Sequence, residues 1–520
     1  MSIDATIPNV PVDASDKDLF ARLFNTWSQK RRRNLLRTVY YEGKNALKDF
    51  GIAIPPQMQR AFTPLQEIAK GVHAMTDRSQ FEGFVTSSGS DDPFGLDETL
   101  YENEFEAEFP MAITSSAIHA CSFLTVSTGD TSSGEPKYVL TARSAETSAA
   151  VWDSVRRTLA GFLAVMATDD TGPVEMVMFT PERVYSLAKV SGKWQAPHIH
   201  NPLGEVSVVR LPFQPRLLRP FGVSRITRTA MGLTDAMLRT MLRAEVSAEF
   251  YSADKYWLFG ADVTKFVGDD KWSAVMGRMN AVDVDTAAGD KVDVQRFTGS
   301  SPQPHIELMR MFKGEFAEDQ QLEVKWADAS NPSSADAIYA AKEELIMKTR
   351  SANRTWGANA AKAMAMIVKL RDGRDSSSEE LRSLTARFTD PAIVSPSARA
   401  DAFSKLSASI PGFGTSEVGM EFAGLSREQI NRFKAEQLRV GSEDRLALLA
   451  EAAGALRGES SDALSGSDDE LNAANVVKAK ADALGVLRRA GVEGNNAAQL
   501  AGLDGVKFIP GNPITIKSEE

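Results

Sequence analysis

The stretch Phe221-Gly222-Val223-Ser224-Arg225-Ile226-Thr227 stands at the start of a long amphipathic pattern near the middle of the chain. Two later stretches also precede helical patterns: Ser300-Ser301-Pro302-Gln303-Pro304-His305 and Asn331-Pro332-Ser333-Ser334-Ala335-Asp336-Ala337-Ile338. Proline in a first turn and asparagine at an N-cap are typical of helix starts. The order along the chain is therefore helix, compact insert, helix, wide loop and longest helix.

The first of these helices is predicted over 224–253, with Ser224 as its N-cap. Its apolar residues Leu233, Met237 and Met241 recur at the spacing of one helix face. At about 1.5 Å per residue such a helix extends roughly 45 Å, which is deeper than most globular cores and indicates an extended stem. Four arginines are expected to give this helix a basic face: Arg225, Arg228, Arg239 and Arg243.

The insert over 254–302 is predicted to be small and mixed. A strand and turn are expected at 256–260, a short helix around Trp272, Met276 and Met279, and a return strand over 292–297. A helix over 303–319 follows, with Pro302 or Pro304 in its first turn. The loop over 320–333 then leads into a long alanine-rich helix over 334–371, for which Asn331 is the expected N-cap.

The N-terminal part is predicted to be an α+β region. Residues 1–15 are expected to be disordered, 16–50 and 60–76 helical, and the acidic stretch 80–110 a loop region. Short runs rich in β-branched and aromatic residues predict strands, interrupted by a helix at 145–166. These runs are Ala112–Val126, Tyr138–Ala142, Val174–Phe179, Val184–Val190 and Val206–Leu211.

Beyond the long helix, a strand is expected over 388–394 and a helix over 396–409. Ser426 is the expected N-cap of a further helix. Residues 441–520 are rich in alanine, serine, glycine and acidic residues, a composition typical of a mobile tail.

The composition limits the functions open to the chain. Its 59 basic and 69 acidic residues give a net charge of −10, so it lacks the basic field of proteins that grip nucleic acid. No apolar run approaches the roughly 20 residues of a membrane helix, and the N-terminus does not read as a secretory signal. The single cysteine, Cys121, excludes an internal disulfide and is expected to be a small buried residue in a strand.

Catalytic and cofactor motifs fail at named residues. Gly129 and Gly134 have the spacing of a phosphate-binding loop, but Glu135 replaces the lysine, which indicates a hairpin turn. Ser186 and Lys189 fall in a strand pattern without companion motifs, and Val294 occupies the twelfth position of a calcium-like run that begins at Asp283. No catalytic residue, metal site or cofactor is therefore predicted.

His198 and His200 would share one face of a strand, so a metal-dependent hydrolase stays open as an alternative. The basic run Lys30-Arg31-Arg32-Arg33 is interpreted either as a solvated helix face or as an anchor for nucleic acid or an acidic neighbour. The tryptophans of the central region fit core packing or subunit interfaces: Trp257, Trp272, Trp326 and Trp356.

Five blocks resemble consecutive segments of portal proteins from siphovirus-type actinobacterial phages. They begin with GEVSVVRLPF at 204–213, continued by RPFGVSRIT at 219–227, and AEFYSADKYWLFGAD at 248–262. They continue with FTGSSPQPHIELMRMF at 297–312, NPSSADAIYAAKEELI at 331–346 and FTDPAIVSPSARADAFSKL at 388–406. The resemblance covers about residues 15–435, and it rests on the order of the blocks rather than on one motif.

The resemblance implies a ring, with twelve subunits in the family, whose parts are called wing, stem, clip and crown. It implies a wing over 16–222 and 372–398, stem helices over 224–253 and 303–319, and a clip over 254–302. It also implies a tunnel loop over 320–333, a long helix over 334–371 and a crown over 399–440. Residues 441–520 form the tail beyond them.

The implied sites follow from these segments. The tunnel loop would turn Lys325, Trp326, Asp328 and Asn331 toward double-stranded DNA that passes without tight binding. The clip would offer Trp257, Phe266 and Trp272 to the head-to-tail adaptor, which replaces the terminase large subunit. The family also contacts major capsid and scaffold proteins, is not an ATPase, and belongs to the virion after assembly in the host cytoplasm. A non-portal scaffold protein stays open as a second alternative.

Overall fold

The computed structural model describes residues 7–46, 64–87, 92–251, 255–259, 279–282, 293–297, 301–322, 335–373, 379–392, 396–425 and 429–439, with three isolated residues beyond them. Contacts divide the chain into two units, residues 1–395 and 396–520. Helix and sheet are both prominent in the first unit, as the α+β prediction requires. Within the described residues, no helix is both long and apolar enough to cross a membrane.

The helices of the first unit are, in chain order, α1 Lys17–Tyr41, α2 Glu67–Thr76, α3 Asp97–Glu102, α4 Phe105–His119, α5 Arg228–Tyr251, α6 Gln303–Gln320, α7 Ala335–Asp372 and α8 Glu379–Arg382. The strands are β1 Phe81–Val85, β2 Cys121–Thr128, β3 Tyr138–Ser144, β4 Ser148–Asp153, β5 Thr158–Asp169, β6 Gly172–Phe179, β7 Arg183–Val190, β8 Lys193–Gln195, β9 His198–His200, β10 Val208–Pro212, β11 Lys255–Phe259, β12 Met279–Val282, β13 Asp293–Phe297 and β14 Thr385–Phe388. Short 3₁₀ turns lie at Pro93–Gly95 and Thr131–Ser133.

The largest sheet is an antiparallel meander in the order β4-β5-β6-β7-β8, with β9 also paired to β7. Helix α1 covers one face through Phe20, Leu23 and Trp27, which share a core cluster with Leu163 and Tyr185 of the sheet. The other face carries Phe162 and Phe179, which pack with Phe123 of β2. Both faces are therefore buried at its centre.

Burial on both faces explains why the sequence-based prediction failed for the first two strands of this sheet. The helix predicted at 145–166 is wrong, because these residues form the β4–β5 hairpin. Neighbouring side chains of β5 point to opposite cores, so its apolar residues form a continuous run without the alternation of a half-buried strand. The turn between the strands is fixed by Asp153, whose Oδ1 accepts from the Val155 and Arg156 amides.

A second core lies between α4, α7 and the antiparallel sheet β10-β2-β3. Trp356 of α7 is fully buried there, and its Nε1 donates to Ser116 Oγ of α4 over 3.1 Å. The strand predicted over 112–126 is therefore wrong in its first half, since α4 runs to His119 and β2 begins at Cys121. Ala120, with φ of +83°, ends the helix.

Three other expectations are corrected. Residues 7–15 are not disordered, because Val10 and Val12 are buried with α1 against the large sheet. The acidic stretch 80–110 is not mainly loop, since it contains β1, α3 and the start of α4. The C-terminal strand is Thr385–Phe388 rather than 388–394, and it pairs antiparallel with β1.

The second unit contains α9 Pro396–Ser409, a 3₁₀ turn Phe413–Thr415, α10 Glu417–Ala423 and a helical segment 429–439. The rings of Phe403, Phe413 and Phe422 lie in succession, 6.2 and 6.0 Å apart. Ser416 caps α10 by accepting from the Gly419 amide. The predicted helix over 396–409 is confirmed, while Ser426 and most of 441–520 lie outside the described residues.

Candidate functional site

The two helices that the sequence analysis assigned to a stem are present as helices and pack on each other. Helix α5 is Arg228–Tyr251 and α6 is Gln303–Gln320, with Pro304 in its first turn. Phe316 and Met237, both buried, belong to the same core. Helix α5 begins later than predicted, at Arg228, and it is capped by Thr227, whose Oγ1 accepts from the Ala230 amide. Ser224 lies before the helix, where its Oγ accepts from the Ile226 amide and donates to Ile118 O.

Arg225 is buried at the junction where these helices meet. Its Nε donates to Gly71 O of α2 and its Nη2 donates to Gln320 O at the end of α6, each over 2.6 Å. Burial lowers the pKa of the Arg225 guanidinium to about 10, partly offset by the Asp319 carboxylate. Arg225 therefore stays charged at neutral pH and joins three chain segments.

This position corrects the predicted basic face. Arg225 precedes the helix and is buried, so it contributes nothing to the exposed surface of α5. Arg228 and Arg243 are exposed and Arg239 is half-buried. The face is consequently shorter than the sequence indicated.

Neutral and acidic side chains complete the junction. Asp319 Oδ2 accepts from Thr227 Oγ1 over 2.8 Å and from Gln320 Nε2 over 2.6 Å. Gln320 Nε2 also donates to Arg225 O over 3.2 Å. Two turns into α5, the buried Asp235 carboxylate accepts from Tyr40 of α1, which ties α5 to the N-terminal helix. The junction thus fixes the C-terminal end of α6.

The insert between α5 and α6 contains the two predicted strands. β11 pairs with β12 in parallel and with β13 antiparallel, so Trp257 is opposite Asn280 and Gln295. Met279, predicted in a short helix, instead begins β12. Phe266 and Trp272 lie outside the described residues, as does the side chain of Trp257.

The proposed tunnel-facing residues Lys325, Trp326, Asp328 and Asn331 lie outside the described residues. The long helix that follows is confirmed as α7, Ala335–Asp372. Of the four tryptophans, Trp356 is a core residue.

The motifs that the sequence analysis rejected as catalytic or cofactor sites have local structural roles. Gly129–Gly134 lies in the β2–β3 turn, where Asp130 Oδ1 accepts from the Ser132 amide. His198 and His200 are exposed on the short strand β9, and His198 packs on Tyr185. In the part of the chain that the structure describes, no three His, Cys, Asp or Glu side chains gather in a group suited to a metal ion.

Cys121 is buried at the start of β2, as predicted. Burial raises the pKa of its thiol to about 12, although the Arg210 guanidinium opposes this. The thiol is therefore protonated and inert at neutral pH.

A basic cleft that the sequence only partly indicated lies between α1 and the segment before α5. It contains Lys30, Arg32 and Arg33 of the predicted cluster, together with Arg37 and Arg219. Arg37 Nη1 donates to His119 O over 3.1 Å. Arg37 follows Arg33 by one helical turn, and this spacing could have predicted that Arg37 lies on the same face. The contribution of Arg219 could not be predicted, because it depends on a turn that is distant in sequence.

Comparison with known proteins decides the family. Residues 21–438 match the profile described as "Phage portal protein, SPP1 Gp6-like". The chain belongs to this phage portal protein family. The family is structural rather than enzymatic, and the hydrolase alternative is set aside on this ground.

Two relatives carry the name portal protein. The one from Mycobacterium phage D29 is 25% identical over 448 residues, covering 82% of this chain and 89% of the relative. The one from Mycobacterium phage L5 is 25% identical over 427 residues, covering 78% and 85%. The predicted resemblance to portal proteins of actinobacterial phages is confirmed.

Among solved structures, the neck of a native GTA particle computed with C12 symmetry matches with a TM-score of 0.36 and 11% identity, covering 74% of this portal chain and 98% of the other. The neck of an empty GTA particle computed with C6 symmetry matches with a TM-score of 0.37 and 13% identity, at the same coverage.

Proposed function

We propose that this portal protein forms a closed ring of twelve subunits at one capsid vertex. Double-stranded DNA enters and leaves the head through this ring. The observation that carries the proposal is the path of the chain between Arg225 and Gln320. Helix α5 leads away from the junction, the small sheet β12-β11-β13 follows, and α6 returns to the same junction.

The lengths of the helices suit a stem. At about 1.5 Å per residue, the 24 residues of α5 span roughly 36 Å and the 18 residues of α6 roughly 27 Å. Helices of these lengths are long enough to hold the sheet between them away from the core around Trp356. We assign α5 and α6 to the stem, the 254–302 insert to the clip, residues 16–222 and 372–398 to the wing, and 399–440 to the crown.

Charge suits a conduit better than a tight DNA binder. Each subunit carries a net charge of −10, and a ring multiplies it. Net repulsion between protein and phosphate favours sliding over binding. Lys325, Asp328 and Asn331, with Trp326, are assigned to the tunnel loop, where each subunit contributes equivalent weak contacts.

The partners follow from the same assignment. The clip is proposed to dock the terminase large subunit during packaging and the head-to-tail adaptor afterwards, with Trp257, Phe266 and Trp272 at that surface. The wing is proposed to meet major capsid and scaffold proteins during assembly in the host cytoplasm, before the protein becomes part of the virion.

Negative-stain microscopy and native mass spectrometry of the purified chain test the ring. We expect particles with a central hole and one dominant subunit number. A chain that stays monomeric under all conditions, including with scaffold protein, contradicts the proposal.

Hydrogen exchange of the ring with and without the terminase large subunit tests the docking surface. We expect protection in the strands Lys255–Phe259 and Asp293–Phe297 and none in the β4–β5 turn, which serves as internal control. Protection confined to that turn would move the docking surface away from the clip.

A further inference from the structure

The basic cleft between α1 and residues 218–231 encloses about 1370 Å³. It presents six cationic side chains: Lys30, Arg32, Arg33, Arg37, Arg219 and Arg228. No carboxylate is among its described lining residues, although Glu146 reaches His119 from behind the wall, with 3.7 Å between Oε2 and Nε2. The cleft therefore favours an acidic occupant.

The cations of the cleft repel one another. Burial and the Arg219 guanidinium lower the pKa of Arg33, and burial and Arg33 lower that of Arg37 to about 10. Two polar atoms in the wall, Asn34 Oδ1 and His119 Nδ1, are buried without a hydrogen-bond partner. An anionic group that binds between these side chains would relieve the repulsion between their like charges.

An apolar rim distinguishes this cleft from a simple phosphate site. Leu35 and Leu36 are partly exposed on α1, and Leu217 and Leu218 are 94% and 95% exposed at the tip of a turn. Backbone bonds between Arg216 and Arg219 close the turn, at 3.1 and 2.8 Å, so the two leucines are presented on a formed structure. Exposed leucines of this kind favour a protein surface over a DNA backbone.

The same chain offers a surface of matching character. On α3 and the first half of α4, Glu98, Glu102 and Glu106 are exposed, and so are Tyr101 and Met111, at 86% and 57%. The 15 residues of α4 separate its acidic beginning from His119 at the cleft by roughly 21 Å. The acidic surface of one molecule therefore cannot fill its own cleft.

We propose that the leucine-rimmed basic cleft of one subunit receives the acidic surface around Tyr101 of the next subunit. This inference rests on the proposed ring. A ring needs two different surfaces that complement each other head to tail, and these two surfaces are opposite in charge while both carry exposed apolar side chains.

Two double variants test the contact in the full chain. L218S/R219S alters the cleft, and Y101S/E102S alters the acidic surface; all four side chains are exposed. We expect each variant to associate roughly 30-fold more weakly than the wild type, because tyrosine and arginine side chains such as Tyr101 and Arg219 dominate the energy of such contacts. V155S/K193S removes an exposed apolar and an exposed basic side chain elsewhere and should assemble normally.

Mixing the two variants gives the sharpest result. Each retains one intact surface, so one productive contact forms between them, and a dimer of twice 56.5 kDa should appear by native mass spectrometry. Rings from either variant alone, at wild-type concentration, would overturn the inference while leaving the ring itself intact.

A DNA-facing cleft gives a different outcome. If L218S/R219S assembles normally but loses salt-dependent affinity for a short DNA duplex, the occupant is nucleic acid and the subunit contact is wrong. A wild-type chain that never assembles would overturn the proposed function and this inference together.

Discussion

The side chains of Arg225 and Gln320 each donate to the backbone carbonyl of the other residue. Arg225 Nη2 donates to Gln320 O over 2.6 Å, and Gln320 Nε2 donates to Arg225 O over 3.2 Å. Arg225 precedes α5 and Gln320 is the last residue of α6, with the small sheet between the two helices. The contact therefore joins the two ends of this helix–sheet–helix segment.

Replacing Arg225 by Met should destabilise the first unit by about 3 kcal/mol, because the Gly71 and Gln320 carbonyls lose a charged donor inside the protein. Urea unfolding followed by tryptophan fluorescence measures the change. Arg243→Met, an exposed residue on α5, should cost less than about 0.5 kcal/mol. Equal losses in both variants would show that Arg225 is not a structural anchor.

Gly222, in the stretch before α5, should not tolerate a side chain. Its φ is +78°, and an added Cβ would lie 2.1 Å from Phe213 O and 2.8 Å from Ala120 O, both backbone atoms. We expect Gly222→Ala to lower the melting temperature by several degrees, a loss of about 3 kcal/mol or more.

Gly204 provides the matched control for that substitution. Its φ is +66°, but nothing lies within 4 Å of an added Cβ. Gly204→Ala should therefore show the cost of the backbone conformation alone, about 1 kcal/mol. If the two alanine variants melt together, the close approach at Gly222 does not matter to stability.

Caps and periodicity predicted the long helices because those signals are local. The helices predicted over 303–319 and 334–371 agree with α6 and α7 within one residue at each end. The start of α5 was misplaced because Ser224 is a good capping residue in isolation. Its Oγ does accept from the Ile226 amide and donates to the Ile118 carbonyl, but the helix itself starts only at Arg228. That error also placed Arg225 on an exposed face.

Features that depend on distant contacts escaped prediction. The β4–β5 hairpin looked helical because α1 and β2 cover its two faces, and no local pattern reports that. The cleft needed Arg219 beside Arg33, which are far apart in sequence. Order of blocks, by contrast, was enough to indicate the portal family, because it reflects the whole chain.

The Tyr40 hydroxyl should contribute to the stability of the first unit. The hydroxyl lies 2.9 and 2.8 Å from the two carboxylate oxygens of Asp235, and both residues are buried. Tyr40→Phe removes the donor and leaves the carboxylate with weaker partners, such as Asn45 Nδ2 at 3.3 Å. We expect a loss of about 2 kcal/mol in urea unfolding. Tyr101→Phe, at an exposed site, should be neutral, and a neutral Tyr40→Phe would contradict the assignment.

His119 should make the first unit less stable in mild acid. Burial and the nearby Arg37 and Arg33 guanidiniums lower its pKa from 6.5 to about 4, while the Glu146 carboxylate faces its Nε2. The unfolded chain therefore takes up this proton below pH 6.5, and the folded chain does so only near pH 4. The stabilisation is complete above pH 6.5 and is lost as the pH falls toward 4, reaching about 2 kcal/mol of loss near pH 5.

The difference between wild type and His119→Gln isolates this effect, because every other titrating group is common to both. Glutamine does not titrate, so the free energy of unfolding of the variant should fall less steeply between pH 7 and about pH 5. At neutral pH the variant is expected to be the less stable, through lost packing of the buried ring. Parallel pH profiles for the two proteins would mean that His119 is protonated as readily in the folded chain as in the unfolded one.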